Sequence, residues 1–185
     1  MAVVKMRRSA WLFFALLLIL APRAGAQTAP ASENQLKTVF LYNFTKYVGW
    51  PAQAFDGAGA PLAVCVLGAD PFGVALDDTL RGEMVNERKL SARRVARVDE
   101  VRGCQVLFIS DSEAHELPAI LNVLRGKPIL TVGEMDQFAE KGGMIHLRKV
   151  ENKIRLEINE ESAARAGLKI SSQLLKLARI VSSEG

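Results

Sequence analysis

Leu62-Ala63-Val64-Cys65-Val66-Leu67-Gly68 is the stretch that decides the fold. Six apolar residues run without a polar break and stop at a glycine. That is the signature of a strand covered on both faces, since a strand with one wet face alternates apolar and polar residues. The same reading applies to Gln105-Val106-Leu107-Phe108-Ile109 and to Ile129-Leu130-Thr131-Val132, which stops at Gly133. Between these runs the spacing predicts helices. One starts at Asp70 and Pro71 and ends near Leu80-Arg81-Gly82. Another is capped by Asp111 or Ser112 and passes through Leu117, Ile120, Leu121 and Leu124 to Gly126-Lys127-Pro128. Buried strands alternating with helices predict an α/β fold: a single compact three-layer domain with a mostly parallel central sheet.

Outward from this centre the elements are weaker. Lys89 to Val98 reads as a more exposed strand, and Glu134 to Glu140 as a short helix before Gly142-Gly143. Met144 to Lys149 and Ile154 to Ile158 alternate around Glu151-Asn152, which predicts a C-terminal β-hairpin. Asn159 then caps Glu160 to Arg165, and Ser171 or Ser172 caps a last helix through Leu174, Leu175, Leu177, Ala178 and Val181. At the other end, Ser32 with Gln35 three residues on has the form of a capping box. The helix it opens should end before Trp50-Pro51, because a residue preceding proline disfavours the α region.

The first residues belong to no fold. Lys5, Arg7 and Arg8 precede an unbroken apolar run of 11 residues, Trp11 to Ala21, and then Ala24-Gly25-Ala26. This is the layout of a secretory signal peptide over residues 1–26, cut between Ala26 and Gln27. The run is shorter than the ~20 residues a membrane span needs. Residues 27–32 form a short tail expected to be mobile, and the α/β domain occupies 33–185. Removing 26 of 185 residues leaves 159, enough for one core. The chain carries 24 basic and 20 acidic residues, and four of the basic ones (Lys5, Arg7, Arg8, Arg23) lie in the leader, which has no acid. The exported part is therefore balanced at 20 of each, and the compositional case for binding nucleic acid disappears. Cys65 and Cys104 are the two cysteines. In an oxidising compartment an even count fits a disulfide, though two buried thiols fit as well.

Residues for chemistry are sparse. Gly68-Ala69-Asp70-Pro71-Phe72-Gly73 has P-loop glycine spacing but continues with Val74-Ala75 where a Lys and a hydroxyl residue are needed. His115-Glu116 lacks the second imidazole of a zinc motif, and His146 is isolated in sequence, so no metal or cofactor site is expected. Ser110, Asp111, Ser112 and His115 are triad residue types, but helix capping accounts for them more simply than hydrolase chemistry. Asp77-Asp78 are adjacent on a helix and point apart. There is no C-x-x-C. An enzyme is not expected. Phe40, Tyr42, Phe44, Tyr47 and Trp50 crowd into eleven residues. Phe40, Phe44 and Tyr47 are expected to pack the helix on the sheet, leaving Tyr42 and Trp50 as candidates for a partner surface.

Taken in order, several segments resemble the YfiR/HmsC-like periplasmic regulators. They are Glu33 to Pro51, Val66 to Gly73, Cys104 to Glu113, Leu130 to Gly133, Gly142 to Ile145 and Leu156 to Asn159. The most specific is Ala166-Gly167-Leu168-Lys169-Ile170-Ser171-Ser172-Gln173-Leu174-Leu175-Lys176-Leu177-Ala178-Arg179. The resemblance implies a cofactor-free repressor that binds the periplasmic region of an inner-membrane diguanylate cyclase, lowering cyclic di-GMP and biofilm formation. It also implies sequestration by an outer-membrane lipoprotein, and a homodimer. Cys65 and Cys104 match a cysteine pair of the family's namesake, which favours a bridge. A second pair found there in the later strands has no counterpart between Met144 and Ile158. An alternative reading is a periplasmic small-molecule sensor with its pocket at the strand ends near Gly68, Ser110 and Gly133.

Overall fold

The computed structural model describes residues 32–151 and 153–183. The expected leader, its Ala26–Gln27 junction and residues 27–31 lie outside them.

In chain order the elements are α1 (Glu33–Tyr47), β1 (Val48–Gly49), β2 (Leu62–Leu67), α2 (Val74–Leu80), β3 (Met84–Val85) and β4 (Arg88–Val95). There follow β5 (Val106–Ile109), α3 (Leu117–Leu124), β6 (Leu130–Gly133), β7 (Ile145–Val150) and β8 (Lys153–Ile158). The chain closes with α4 (Glu160–Arg165), β9 (Lys169–Ile170), α5 (Ser172–Leu175) and β10 (Ala178–Ile180). An eight-stranded sheet has the order β10-β8-β7-β6-β5-β2-β4-β3, and β1 pairs with β9 in a separate ribbon. From β4 through β7 every neighbour is parallel, and β7 and β8 form the antiparallel hairpin. This is the α/β architecture expected from the three apolar runs.

Strand pleating sends successive side chains to opposite faces, and each face has its own core. Val64, Val66, Val106, Phe108, Leu130 and Val132 meet α1, α2 and α4 on one side. Ala63, Cys65, Leu67, Leu107 and Ile109 meet α3 and Phe138 on the other. α1 opens on the expected capping box, with Ser32 Oγ accepting from Gln35 N–H at 3.2 Å and Gln35 Oε1 accepting from Ser32 N–H at 2.8 Å. Asn159 caps α4 by accepting from Ser162 N–H at 2.9 Å.

Five local expectations are corrected. α3 begins at Leu117, after a separate turn over Asp111–Glu113, with Glu116 rather than Asp111 or Ser112 at its N-cap position. α2 begins at Val74 rather than Pro71, because Asp70 folds back to accept from Phe72 N–H at 2.8 Å and a turn takes the place of the cap. Glu134 to Glu140 is a chain of turns, not a helix. The last helix stops at Leu175, and Ala178–Ile180 instead extends the sheet as a parallel neighbour of β8. On α1, Tyr47 stays 38% exposed and Phe40 half-buried, whereas Lys37, Thr38 and Thr45 are buried beside Leu41 and Phe44. Those polar residues are satisfied. Lys37 pairs with Glu33 at 2.8 Å and with Glu134, and Thr38 donates to Gln35 O.

Phe138 explains the turns. Its ring is fully buried between two glycines, and a Cβ on Gly133 would lie 2.5 Å from the ring, with Gly143 closer still. Gly133→Ala should therefore lower unfolding free energy in urea by about 1–3 kcal/mol through overpacking. Phe138→Ala alone should cost about 3–5 kcal/mol. Combined, the two should cost less than their sum, because removing the ring removes the clash; strict additivity would refute this account.

Candidate functional site

The ends of the parallel strands are where an α/β sheet ordinarily binds ligands. Here the approaches to Gly68 and Gly133 are filled by the chain itself, while a cavity of about 360 Å3 remains beside them, between Leu67, the Ala96 to Asp99 segment and the start of α3. Gly68, at φ 86°, leaves room for the side chains of Ser112 and Glu113, which would overlap any Cβ there. Ser112 Oγ accepts from Ala69 N–H at 3.0 Å, so the turn after β2 is spent on an internal bond. Gly133, at the end of β6, is covered by Phe138. The sensor pocket expected near Gly68, Ser110 and Gly133 is therefore occupied by protein. Asp70 and Asp77 both hold Arg94, at 2.8 and 2.7 Å, which places carboxylates beside the P-loop-like segment.

Cys65 and Cys104 form a disulfide with Cα atoms 5.9 Å apart and a sequence separation of 39. Both are buried in the core beneath α3. The bridge fastens β2 to the segment entering β5. Gln105 reinforces the same junction. Its side-chain oxygen accepts from Ala63 N–H at 2.7 Å and its amide donates to Ala54 O at 2.6 Å.

That junction also takes in Trp50, whose Nε1–H donates to Gln105 O at 3.1 Å while the ring packs half-buried on the core. Tyr42 is half-buried too. Its hydroxyl donates to Glu83, and Lys46 Nζ stands 4.0 Å from its ring centre. The polar tips of both aromatics are thus used internally. The apolar groups that α1 leaves in water are Leu36 at 42%, Val39 at 45% and Tyr47 at 38% exposure. With Asn43 they recur at i, i+3, i+7 and i+11, a single stripe on the face turned away from the sheet.

A buried ionic hub went unread in the sequence. His146 on β7 and Glu157 on β8 face each other in the hairpin register, and His146 Nδ1 lies 2.9 Å from a Glu157 oxygen. Both are 3% exposed. Arg148, from β7, and Arg179, from β10, donate to the other Glu157 oxygen, at 3.2 and 2.8 Å. Arg179 also reaches Glu140 at 3.0 Å. Glu140, His146 and Glu157 bring one ligand atom each within 4.8 Å of one another. Two guanidinium groups already neutralise the carboxylates, so the arrangement is that of a charge-paired clasp between β7, β8 and β10. Burial pulls the Glu157 carboxyl up in pKa, but Arg179 and His146 outweigh it and hold it below the ordinary range. At the surface, Glu33 is drawn down to about 2 by Lys149 and Lys37.

Fold and geometry together define a class: a small, disulfide-bridged α/β protein whose strand-end glycines are covered by its own side chains. Its family follows from a direct match. The chain belongs to the YfiR/HmsC-like family, whose model covers residues 34–179, a regulatory rather than catalytic family of the periplasm.

Two predictions follow from the bridge and the hub. Reduction should lower the melting temperature measured with and without dithiothreitol, since freeing a loop of 39 residues restores about 4 kcal/mol of unfolded-chain entropy at most; an unchanged melt would contradict a structural bridge. Glu157 has a folded pKa below its unfolded one, so its stabilisation is present in full above about pH 4.3 and fades as pH falls further. Glu157→Gln should cost about 1–3 kcal/mol at pH 7 and flatten the acid limb of unfolding free energy against pH, followed by urea melts from pH 7 to 3.

Proposed function

We propose that the protein is exported through a signal peptide cleaved between Ala26 and Gln27 and acts in the periplasm as a repressor. It binds the periplasmic region of an inner-membrane signalling protein, a diguanylate cyclase, and so lowers cyclic di-GMP and biofilm formation. An outer-membrane lipoprotein would relieve repression by sequestering it, and the working unit would be a homodimer. The observation that carries this reading is membership of a regulatory periplasmic family across residues 34–179. The covered glycines at Gly68 and Gly133 support it, because the backbone there is closed to a phosphate.

Mechanistically, repression is linkage. A protein that binds only the inactive receptor state shifts the receptor equilibrium by its difference in affinity for the two states. The surface assigned to this contact is the outer stripe of α1, with Leu36, Val39 and Tyr47 as apolar anchors and Tyr42 and Trp50 at its border. These anchors stand on a helix held by a capping box and buried ion pairs, so little side-chain and backbone ordering is left to be done on binding.

Affinity capture from membranes tests the proposal, with the disulfide intact and reduced in parallel. The expected catch is a membrane protein with a cyclase domain, retained better by the oxidised form. Leu36→Asp and Val39→Asp should each cut retention tenfold or more while leaving the melting temperature within a few degrees, because both side chains are already wet. Recovery of no membrane signalling protein in either redox state would overturn the reading. Undiminished capture by both variants would move the contact off α1.

A further inference from the structure

At the N-terminal ends of the parallel strands, opposite the covered glycines, the sheet parts. β6 and β7 pair over only two positions, Val132↔Ile145 and Gly133↔His146. Leu130 and Thr131 therefore have no partner on β7, and Thr131 Oγ1 accepts from Met144 N–H at 3.0 Å across the gap. Around this opening lies a cavity of about 480 Å3, bounded by the last turn of α3, the turn at Lys141 and Gly142, and α4. That volume falls in the range of small-molecule sites, ~300–1,000 Å3.

The charge at its wall is one-sided. Arg125, Lys141 and Arg165 come from three different segments, and among the described residues no carboxylate lines the cavity. In a chain whose exported part balances acids and bases, three cations to none is a local excess. Two of the three are unspent. Among the described residues Arg125 makes no ion pair, and Lys141 Nζ donates only to a backbone oxygen, Asp136 O, at 3.0 Å. Arg165 is held in place by Glu161 and by Ser162 Oγ, the latter at 2.9 Å. Leu121, Leu124 and Met144 supply an apolar wall beside the charges. A cleft lined by one sign of charge against low-dielectric walls concentrates the opposite ion.

We infer that this cavity is a binding site for a small organic anion, with its phosphate or carboxylate group toward Arg125 and Lys141 and its apolar body against Leu124 and Met144. The inference is independent of the partner proposed above. A bound anion would join α3, the turn before β7 and α4, and Ser183 in the C-terminal segment also lines the cavity. Occupancy would therefore tie together segments that are otherwise connected across a break in the sheet.

The test is a 1H–15N correlation titration of the oxidised protein at constant ionic strength with phenyl phosphate, phenylacetate and the neutral benzyl alcohol. The expected result is saturable shifts clustered at Gly126, Gly142 and Ser162 with one or both anions and none with the alcohol. Whichever anion binds more tightly identifies the head group. A double variant, Arg125→Glu with Lys141→Glu, should weaken that binding at least tenfold. Its unliganded melting temperature should be unchanged, since both side chains are exposed. Equal response to benzyl alcohol, shifts scattered over the surface, absence of saturation with both anions, or unaltered binding by the double variant would overturn the site.

Discussion

The pairing of β2 with both β4 and β5 is the constraint on which the molecule rests. All six residues of β2 are buried, and both its edges are hydrogen-bonded. A strand in that position must be apolar on both faces, and its alternate side chains must fill two different cores. Val64 and Val66 do so on the α1 and α2 side, and Cys65 and Leu67 on the α3 side. The disulfide and the Gln105 hydrogen bonds act on the same strand. They hold the entry to β5 against β2 at the point where the connection between them is long. Shifting β2 by one residue would exchange its faces and take Cys65 away from Cys104.

The same economy of position shapes the strand ends at Gly68 and Gly133. Parallel strands ending in glycines could admit a phosphate close to the backbone, since Gly68 has the positive φ that such turns exploit. The approach is used instead by Ser112 and Glu113, as the approach to Gly133 is used by Phe138. The glycines are therefore packing residues here, and a motif defined by glycine spacing would mislead without the side chains that follow it.

The legible and illegible parts of the sequence divide along a physical line. Strands buried on both faces were readable, because an unbroken apolar run has few other solutions once turns bound it. The Ser32 capping box, the Asn159 cap and the hairpin were readable because each rests on bonds between near neighbours. Interactions between distant segments were not. Leu177 to Val181 carries apolar residues at spacings that suit a helix, yet it pairs with β8, and only that partner decides its state. The polar face of α1 was opaque for the same reason, since Lys37 is held in the core by Glu134, 97 residues away, as well as by its helical neighbour Glu33. The hub is the instructive miss. His146 is isolated in sequence, although a hairpin that pairs Val150 with Lys153 necessarily places 146 opposite 157. Counting the register would have found the pair.

The same hub sets how the C-terminal end of the sheet behaves. β10 is an edge strand held by three register pairs to β8, and its side chains are mainly exposed. Little apolar burial secures it, so a large part of its attachment is ionic, through Arg179 to Glu157 and Glu140. Attachment of that kind is local and sensitive to protonation, in contrast to the disulfide, which restrains the unfolded chain whatever the pH. Elements with few buried contacts open at lower free energy than the core they border. The protein thus combines a rigid centre, fixed by β2 and the bridge, with a C-terminal edge whose closure depends on one buried carboxylate. That edge runs on to Ser183, which lines the cavity beside the gap between β6 and β7, so a ligand or partner acting there would work against an ionic attachment rather than against the core.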